Sequence, residues 1–247
     1  MDRVLEALDR VNRDFPVKDQ RYTLIHAYFP NPSAVRRAAE LGVCVDTQPD
    51  WFYKDGDALA NALGESRLKS FIGLADWANG SVKTAINSDH MHGLDPNKSL
   101  NPFNPFLAMY VAVTRRMESG RVIGPEQRVS REQALRMATI DAAYLGFDEK
   151  RKGSIEAGKL GDLTMLSDDL LTCDVERIKD IQALLTVVGG KIVHGDSSRC
   201  SHRERASDQD IAVRLKRDRR NSPATQATRE SKCLIDGAIL IQASISE

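Results

Sequence analysis

The chain has 247 residues, of which 41% are hydrophobic and 28% charged, and its 35 basic and 35 acidic side chains leave no net charge. A neutral chain has no long-range field for a polyanion, so we expect neither nucleic acid nor a membrane surface as a partner. Four cysteines without a C-x-x-C pair argue against a zinc ribbon, a redox motif or a disulfide framework. No apolar run approaches the roughly 20 residues that cross a bilayer, so we expect a cytoplasmic protein.

Short apolar segments alternate with helical patterns in the first 120 residues. The segments YTLIHA, VCVD and VKTAIN are predicted strands. Ser33 is predicted to cap the helix in NPSAVRRAAELG, and Asn104 with Pro105 to begin a helix that ends at Gly120. This alternation is typical of parallel βαβ units, so the sequence predicts an α/β fold.

The second half of the chain has a different pattern. Ser130 and Gln133 form a capping box for a helix that continues through Leu145. The segment KGSIEAGKLGDLTML predicts two short strands around a glycine-rich turn, and IQALLTVVGGKIVHG predicts a hairpin with a Gly-Gly turn. We therefore divide the chain into an α/β part, residues 1–150, a β segment, residues 151–196, and a polar tail, residues 197–247, that is expected to be disordered.

Three polar residues follow the three predicted strands. His26 ends TLIH, Gln48 lies just beyond VCVD, and Asp89 lies just beyond TAIN. Because the carboxyl ends of parallel strands share one face, we expect these residues at one rim. A histidine and an aspartate there suit zinc-type hydrolysis, in which the carboxylate is also the general base. Two ligands, however, are too few for a catalytic ion.

Structural roles are alternatives for each of these residues. His26 could be a buried histidine bonded to a backbone carbonyl, and Asp89 could form a helix cap or an Asx turn. His90 and His92 could chelate a metal if their segment were extended. They follow Asp89 in a loop, however, so we expect them to face solvent or substrate. The residues alone leave these interpretations open.

The order of several segments resembles the C-terminal half of amidohydrolase family 3, the group of YtcJ-like metal-dependent hydrolases. The resemblance runs from about Tyr22 to His194 and is carried by LIHA, GVCVDTQPD, INSDHMHG, NPFNPFLAMYVAVTRR, RVIGPEQRVSREQALRMATIDAAYLGF, KGSIEAGKLGDLTMLSDD and IKDIQALLTVVGGKIVHG. It implies a partial TIM-like (β/α) barrel, formed by the last three βα units in residues 1–150, followed by the C-terminal part of a small β-sandwich in residues 151–196.

The resemblance also implies a chemistry. Family members hydrolyse carbon-nitrogen bonds other than peptide bonds in small amide-type substrates, using one or two divalent metal ions, with zinc as the expected ion. His26 is similar to the metal-binding histidine of the sixth barrel strand, and Asp89 to the catalytic aspartate of the eighth, which also contacts the metal. Gln48 matches the glutamine of a QP motif and is expected to bind substrate, as are His90 and His92.

The chain departs from the family pattern at several positions. Ile25 stands where many relatives have glutamate, and His90 where they have tryptophan. The first-strand H-x-H, the bridging ligand and the fifth-strand histidine have no counterpart ahead of His26. We therefore expect the chain to be a C-terminal fragment of an amidohydrolase. The alternative is a non-catalytic module that needs a separate N-terminal half, and we expect either that half or a homo-oligomer as its partner.

Overall fold

The structure, a computed structural model, describes residues 1–90 and 92–195, with the backbone of 234–235 and 238–241. Helices and parallel strands alternate in the first part, in the order α1 Asp2–Asp14, β1 Thr23–Ile25, α2 Pro32–Leu41, β2 Cys44–Thr47, α3 Pro49–Leu63, α4 Glu65–Leu68, α5 Leu74–Asn79, β3 Thr84–Ile86, α6 Pro105–Thr114, α7 Arg131–Ala138 and α8 Ile140–Leu145. Strands dominate the remainder, in the order β4 Leu163–Leu166, β5 Ala183–Val188, β6 Lys191–His194, β7 Leu234–Ile235 and β8 Ala238–Ile241. The α/β class predicted from the sequence is confirmed.

The first three strands form a parallel sheet with β2 in the centre. Thr23 pairs with Cys44 and Val45 pairs with Thr84, so all three strands run in the same direction. The three predicted strands are thus confirmed, although β1 and β3 are shorter than their apolar segments and β2 is shifted by one residue from VCVD. Parallel strands bring the residues that follow them to one edge of the sheet. Whether this sheet belongs to a barrel stays a prediction.

Helix α2 begins differently from the prediction. The side chain of Asn31 accepts a hydrogen bond from the Ala34 N–H, so Asn31, and not Ser33, is the N-cap. Pro32 explains the difference, because proline favours the first helical position and leaves the preceding residue to cap. The helix ends at Gly42 as predicted, with φ of 65°. A Cβ at Gly42 would lie 2.2 Å from the Lys18 carbonyl oxygen, so only glycine fits there.

Helix α6 is the most buried helix of the described part. Asn104 caps it through the Phe106 N–H, as the sequence predicts. The helix ends at Thr114 because Arg115 adopts a left-handed conformation, so the predicted end at Gly120 is wrong. Its residues Leu107 to Ala112 are all buried, and they pack within the larger apolar core beside α3 and α7.

The helix predicted from Ser130 through Leu145 is divided in two. The capping box of Ser130 and Gln133 is present, as predicted. Thr139 leaves the helical conformation, with φ of −125° and ψ of −91°, and separates α7 from α8. Its hydroxyl donates to the Leu135 carbonyl, which satisfies an acceptor in the last turn of α7. None of the described helices has the length and apolar character that crossing a membrane requires.

The later strands form an antiparallel sheet in the order β6-β5-β4-β8-β7. The predicted hairpin is confirmed: β5 and β6 are joined by Gly189 and Gly190, whose φ values are both positive. KGSIEAGKLGDLTML contains β4 but no earlier strand in the described residues. The first predicted strand is therefore wrong: residues 151–160 form a loop of turns and bends, which the hydrogen bond from the Leu160 N–H to the Arg151 carbonyl closes.

Part of the polar tail joins this sheet. The backbone of Ala238–Ile241 pairs with β4, with Leu166 opposite Ile239. The sequence does not predict this pairing. The prediction of disorder for the rest of residues 197–247 lies outside the described residues.

Candidate functional site

His26 and Asp89 lie together at the carboxyl edge of the parallel sheet. His26 directly follows β1, and Asp89 lies in the loop that follows β3. The Nε2 atom of His26 is 3.9 Å from the Oδ2 atom of Asp89. Their side chains are 44% and 35% exposed, so both are accessible from solvent. The fold therefore brings an imidazole and a carboxylate together on an open face.

Gln48 lies beneath this pair and is almost fully buried, with 1% of its surface exposed. Its Oε1 atom is 2.8 Å from the His26 Nδ1 atom, and its Nε2 atom donates to the Asn87 Oδ1 atom at 3.3 Å. Both polar ends of the amide are thus occupied by protein groups. Substrate binding by Gln48 stays a prediction, and its contacts favour a role in holding His26.

Aromatic side chains form one wall of the site. The Tyr28 hydroxyl is 2.8 Å from His26 Nδ1, and the rings of Tyr28 and Trp51 lie 5.2 and 6.1 Å from the imidazole. Burial raises the pKa of Tyr28, and the negative charges of Asp89 and Asp55 add to this shift. Tyr28 is therefore a protonated hydroxyl at neutral pH.

His90 and His92 lie in the loop after β3. His90 Nδ1 is 2.7 Å from the Asn101 carbonyl oxygen, and its ring packs 4.5 Å from the Phe103 ring. His92 is exposed. Within the described part of the chain, neither histidine bonds to His26 or Asp89. The contacts of His90 match the structural role of a histidine bonded to a backbone carbonyl, and substrate binding by either residue stays a prediction.

The backbone at this site is strained. His26, Ala27 and Asp89 have φ values of 71°, 30° and 48°, in the left-handed region that non-glycine residues rarely adopt. Such conformations cost about 1–3 kcal/mol each and persist where the surroundings enforce them. Here the Thr47 hydroxyl donates to the His26 carbonyl at 3.0 Å, and the Asp89 N–H donates to the Asn87 side chain at 2.8 Å. The fold thus gives up some stability to hold these two side chains.

Three residues of the site were not identified from the sequence. Asp46 is the third residue of β2, and its carboxylate accepts a hydrogen bond from the amide of Asn87, which directly follows β3. Burial raises the pKa of Asp46, an effect that the Asn87 hydrogen bond opposes. Asn87 follows β3 as His26 follows β1, and Asp46 is the last residue of the predicted strand VCVD, so both could have been found from their positions. Tyr28 carries no such signal, because it lies in the loop beyond His26.

The side chains of His26 and Asp89 are of the types that bind zinc, but two ligands are fewer than a catalytic zinc ion requires. Imidazole nitrogen and carboxylate oxygen are both ordinary zinc ligands, but a catalytic zinc is held by three protein ligands. The described residues contain no group of three or more His, Cys, Asp or Glu side chains placed to hold an ion. His26 and Asp89 therefore do not form a complete metal site by themselves.

Comparison with known families identifies the class of protein. The model of the amidohydrolase family matches residues 1–194. The chain belongs to the amidohydrolase family, and the resemblance to its family 3 is confirmed.

Individual relatives give the same result. The chain is 30% identical over 192 residues to an N-substituted formamide deformylase of Arthrobacter pascens, covering 77% of this chain and 34% of the relative. It is 27% identical over 201 residues to the putative amidohydrolase YtcJ of Bacillus subtilis strain 168, covering 79% and 36% of the two chains. The chain thus spans about a third of the length of these curated relatives.

A solved structure supports the fold. The crystal structure of an uncharacterized metal-dependent hydrolase from Pyrococcus horikoshii OT3 matches with a TM-score of 0.52 and 19% identity. The match covers 69% of this chain and 32% of that one. This likeness concerns the fold alone.

Proposed function

We propose that the chain is the part of a metal-dependent amidohydrolase that supplies His26 as a metal ligand and Asp89 as a ligand and general base. The reaction is hydrolysis of a carbon-nitrogen bond other than a peptide bond. The observation that carries this proposal is the 3.9 Å separation of His26 Nε2 and Asp89 Oδ2 at the carboxyl edge of a parallel sheet. Membership of the amidohydrolase family gives the pair its chemical context.

The proposal includes a partial barrel and a shared metal site. We propose that β1, β2 and β3 are the last three strands of the barrel. The remaining metal ligands then come from outside the described residues. The two-donor site supports this view, and so does the match to only about a third of each relative. Zinc is the ion we expect, as one or two ions per site.

The residues of this chain have distinct roles in the proposed reaction. Asp89 takes a proton from the attacking water, for which a carboxylate that is 35% exposed is suitably accessible. Tyr28 and Trp51 exclude water from one side of the imidazole. His90 and His92 belong to the loop that follows Asp89, from which they contact the substrate.

The substrate class is a small amide, and an N-formyl amide is our first choice. The relative with 30% identity is named for the deformylation of N-substituted formamides. That name describes the relative, but it identifies a practical test substrate.

The proposal is tested by completing the site. The full chain is fused to the part of the Arthrobacter deformylase that it does not match, which the proposal takes to be N-terminal, and zinc content and hydrolysis of an N-substituted formamide are measured. We expect bound zinc and turnover, both of which decrease when His26 is replaced by Ala. Zinc binding and turnover that are unchanged by His26→Ala would refute the assignment. A folded fusion that binds no zinc would favour the non-catalytic alternative.

A further inference from the structure

A chain of hydrogen bonds connects the backbone of Asp89 to the ring of His26. It begins at the Asp89 N–H, which lies 2.8 Å from the Asn87 Oδ1 atom. A backbone N–H can only donate, so the amide atom that faces it must be the oxygen of Asn87. The Asn87 amide nitrogen then faces the Asp46 carboxylate, which accepts its hydrogen bond. The orientation of the Asn87 side chain is therefore fixed at both ends.

The orientation of Asn87 determines that of Gln48. The same Asn87 oxygen is 3.3 Å from the amide of Gln48, and a carbonyl oxygen has lone pairs for two donors. Gln48 must therefore present its NH2 group to Asn87 and its Oε1 atom to His26. Because Gln48 is only 1% exposed, solvent offers the reversed amide no replacement partners.

This arrangement selects one tautomer of His26. The Gln48 Oε1 atom can only accept, and it lies 2.8 Å from Nδ1, so Nδ1 must carry the ring hydrogen. In a neutral imidazole the lone pair is then on Nε2, the atom that faces Asp89. The 3.9 Å distance from Nε2 to the Asp89 carboxylate is too long for a hydrogen bond, which agrees with an Nε2 atom that has no hydrogen.

We propose that Gln48 and Asn87 are positioning residues that hold His26 in the Nδ1–H tautomer, with the Nε2 lone pair directed to the side of Asp89. The use of that lone pair as a metal ligand rests on the proposed function. The tautomer itself does not, because it follows from the hydrogen bonds of this chain. Partners of this kind commonly orient metal-binding histidines through the second ring nitrogen.

Tyr28 is a second group, besides Gln48, within hydrogen-bond distance of His26 Nδ1. Its hydroxyl is also 2.8 Å from His26 Nδ1, and a hydroxyl can either donate or accept. If Tyr28 donated to Nδ1, the Nδ1 lone pair would face the Gln48 oxygen, so two acceptors would be 2.8 Å apart in a partly buried place. Tyr28 therefore accepts from Nδ1–H together with Gln48, and it keeps its own hydrogen for another partner.

The tautomer can be measured without any metal. The full chain is labelled with ring-15N histidine, treated with a chelator and studied by magic-angle spinning NMR, which tolerates an associated sample. The sample is kept at alkaline pH, which favours the neutral form of an imidazole ring. The signals of His26 are assigned by their loss in His26→Ala. We expect a protonated Nδ1 and an unprotonated Nε2.

Variants identify the residues responsible. Gln48→Leu removes the acceptor and should shift the ratio of tautomers about tenfold toward Nε2–H, which corresponds to a hydrogen bond worth about 1.4 kcal/mol. Tyr28→Phe is the matched control, and it should leave Nδ1 protonated.

Two results would overturn the inference: an Nε2–H ring in the unsubstituted chain, or a tautomer that changes in Tyr28→Phe but not in Gln48→Leu. If Gln48→Leu does not fold, the spectrum of the unsubstituted chain still decides the question. If Nδ1–H is found but the fusion protein binds no zinc, then the proposed function fails and the tautomer assignment stands.

Discussion

The Nε2 atom of His26 lies 3.9 Å from the Oδ2 atom of Asp89, although the two residues follow different strands. β2 lies between those strands, so the two side chains meet across its carboxyl end. Both residues have left-handed backbone conformations. A change at either residue should therefore affect the proposed chemistry more than it affects the fold.

Replacing Asp89 with Asn should nearly abolish turnover in the completed protein. The amide keeps the shape of the side chain but cannot take a proton, and loss of a general base typically costs about 100-fold or more. Steady-state hydrolysis of an N-substituted formamide measures the effect. His92→Ala is the comparison, because an exposed loop residue should change KM more than kcat. Full activity in Asp89→Asn, or loss of zinc in His92→Ala, would show that these roles are wrong.

The positions of these site residues were predictable because they depend on strand direction. Once three strands alternate with helices, the sheet is parallel and its carboxyl ends share an edge. His26, Gln48 and Asp89 were recognised in this way. The burial of Gln48 was not recognised from the sequence, because hydropathy does not distinguish an amide that faces substrate from one that bonds to a histidine inside the protein.

Helix ends were harder to predict, because backbone conformation decides them locally. Asn104 and the box of Ser130 with Gln133 were recognised because their side chains cap in a standard way. Arg115 and Thr139 interrupt helical patterns without glycine or proline, so the sequence does not mark them. In Arg115 the guanidinium is buried and bonds to the carbonyls of Phe71 and Ile72, which are distant in sequence. Such tertiary contacts override helix propensity.

Replacing Glu149 with Gln should lower the free energy of unfolding. The change breaks the ion pair between Arg21, just before β1, and Glu149, just after α8. Glu149 binds Arg21 through both carboxylate oxygens at 2.9 and 2.8 Å, and the guanidinium stacks 3.7 Å from the Tyr144 ring centroid. Both ion-pair side chains are mostly buried, so we expect a loss of about 1–2 kcal/mol at pH 7, above the usual value for a surface pair. Urea unfolding measures it. Glu118→Gln, which breaks a more exposed pair with Lys54, should cost less.

The effect of Glu149→Gln should depend on pH. The hydrogen bonds from Arg21 lower the pKa of Glu149 to about 2, below its value in the unfolded chain. A lowered pKa means that the stabilisation is present above the unfolded value of about 4.3 and is lost as the pH falls through about 2. The difference in unfolding free energy between the unsubstituted chain and the Glu149→Gln variant should therefore decrease from pH 5 to pH 2. A difference that stays constant over this range would contradict the ion-pair explanation.

The outer edge of β1 should make the isolated chain associate. In the described residues β1 pairs only with β2, and Tyr22 and Ile25 on this strand segment are 49% and 64% exposed. Unpaired edges with exposed apolar side chains promote association, and a lysine on an edge strand opposes it. Thr23→Lys should therefore increase the monomer fraction in light scattering. Ser66→Lys adds the same charge on α4 and should not, and a monodisperse monomer without any substitution would refute the prediction.

Asp50 should make the stability of the chain decrease as the pH rises. Its side chain is fully buried in the first turn of α3, and neither carboxylate oxygen has a hydrogen-bond partner among the described residues. The helix N-terminus favours a negative charge by about 0.3–1 kcal/mol, but burial has the larger effect and raises the pKa of Asp50 to about 8. The folded chain therefore keeps this proton up to higher pH than the unfolded chain.

The sign of the effect follows from proton linkage. Between the unfolded pKa of about 3.9 and a folded pKa of about 8, the folded state binds more protons, so stability decreases with rising pH and levels off above pH 8. Asp50→Asn keeps the shape without the charge, so its advantage over the unsubstituted chain should grow by several kcal/mol between pH 5 and pH 8.5, at about 1.4 kcal/mol per pKa unit. Urea unfolding at both pH values measures this, and Asp57→Asn, at an exposed carboxylate of the same helix, should show no such growth. An advantage that is the same at both pH values would show that Asp50 is ionised throughout.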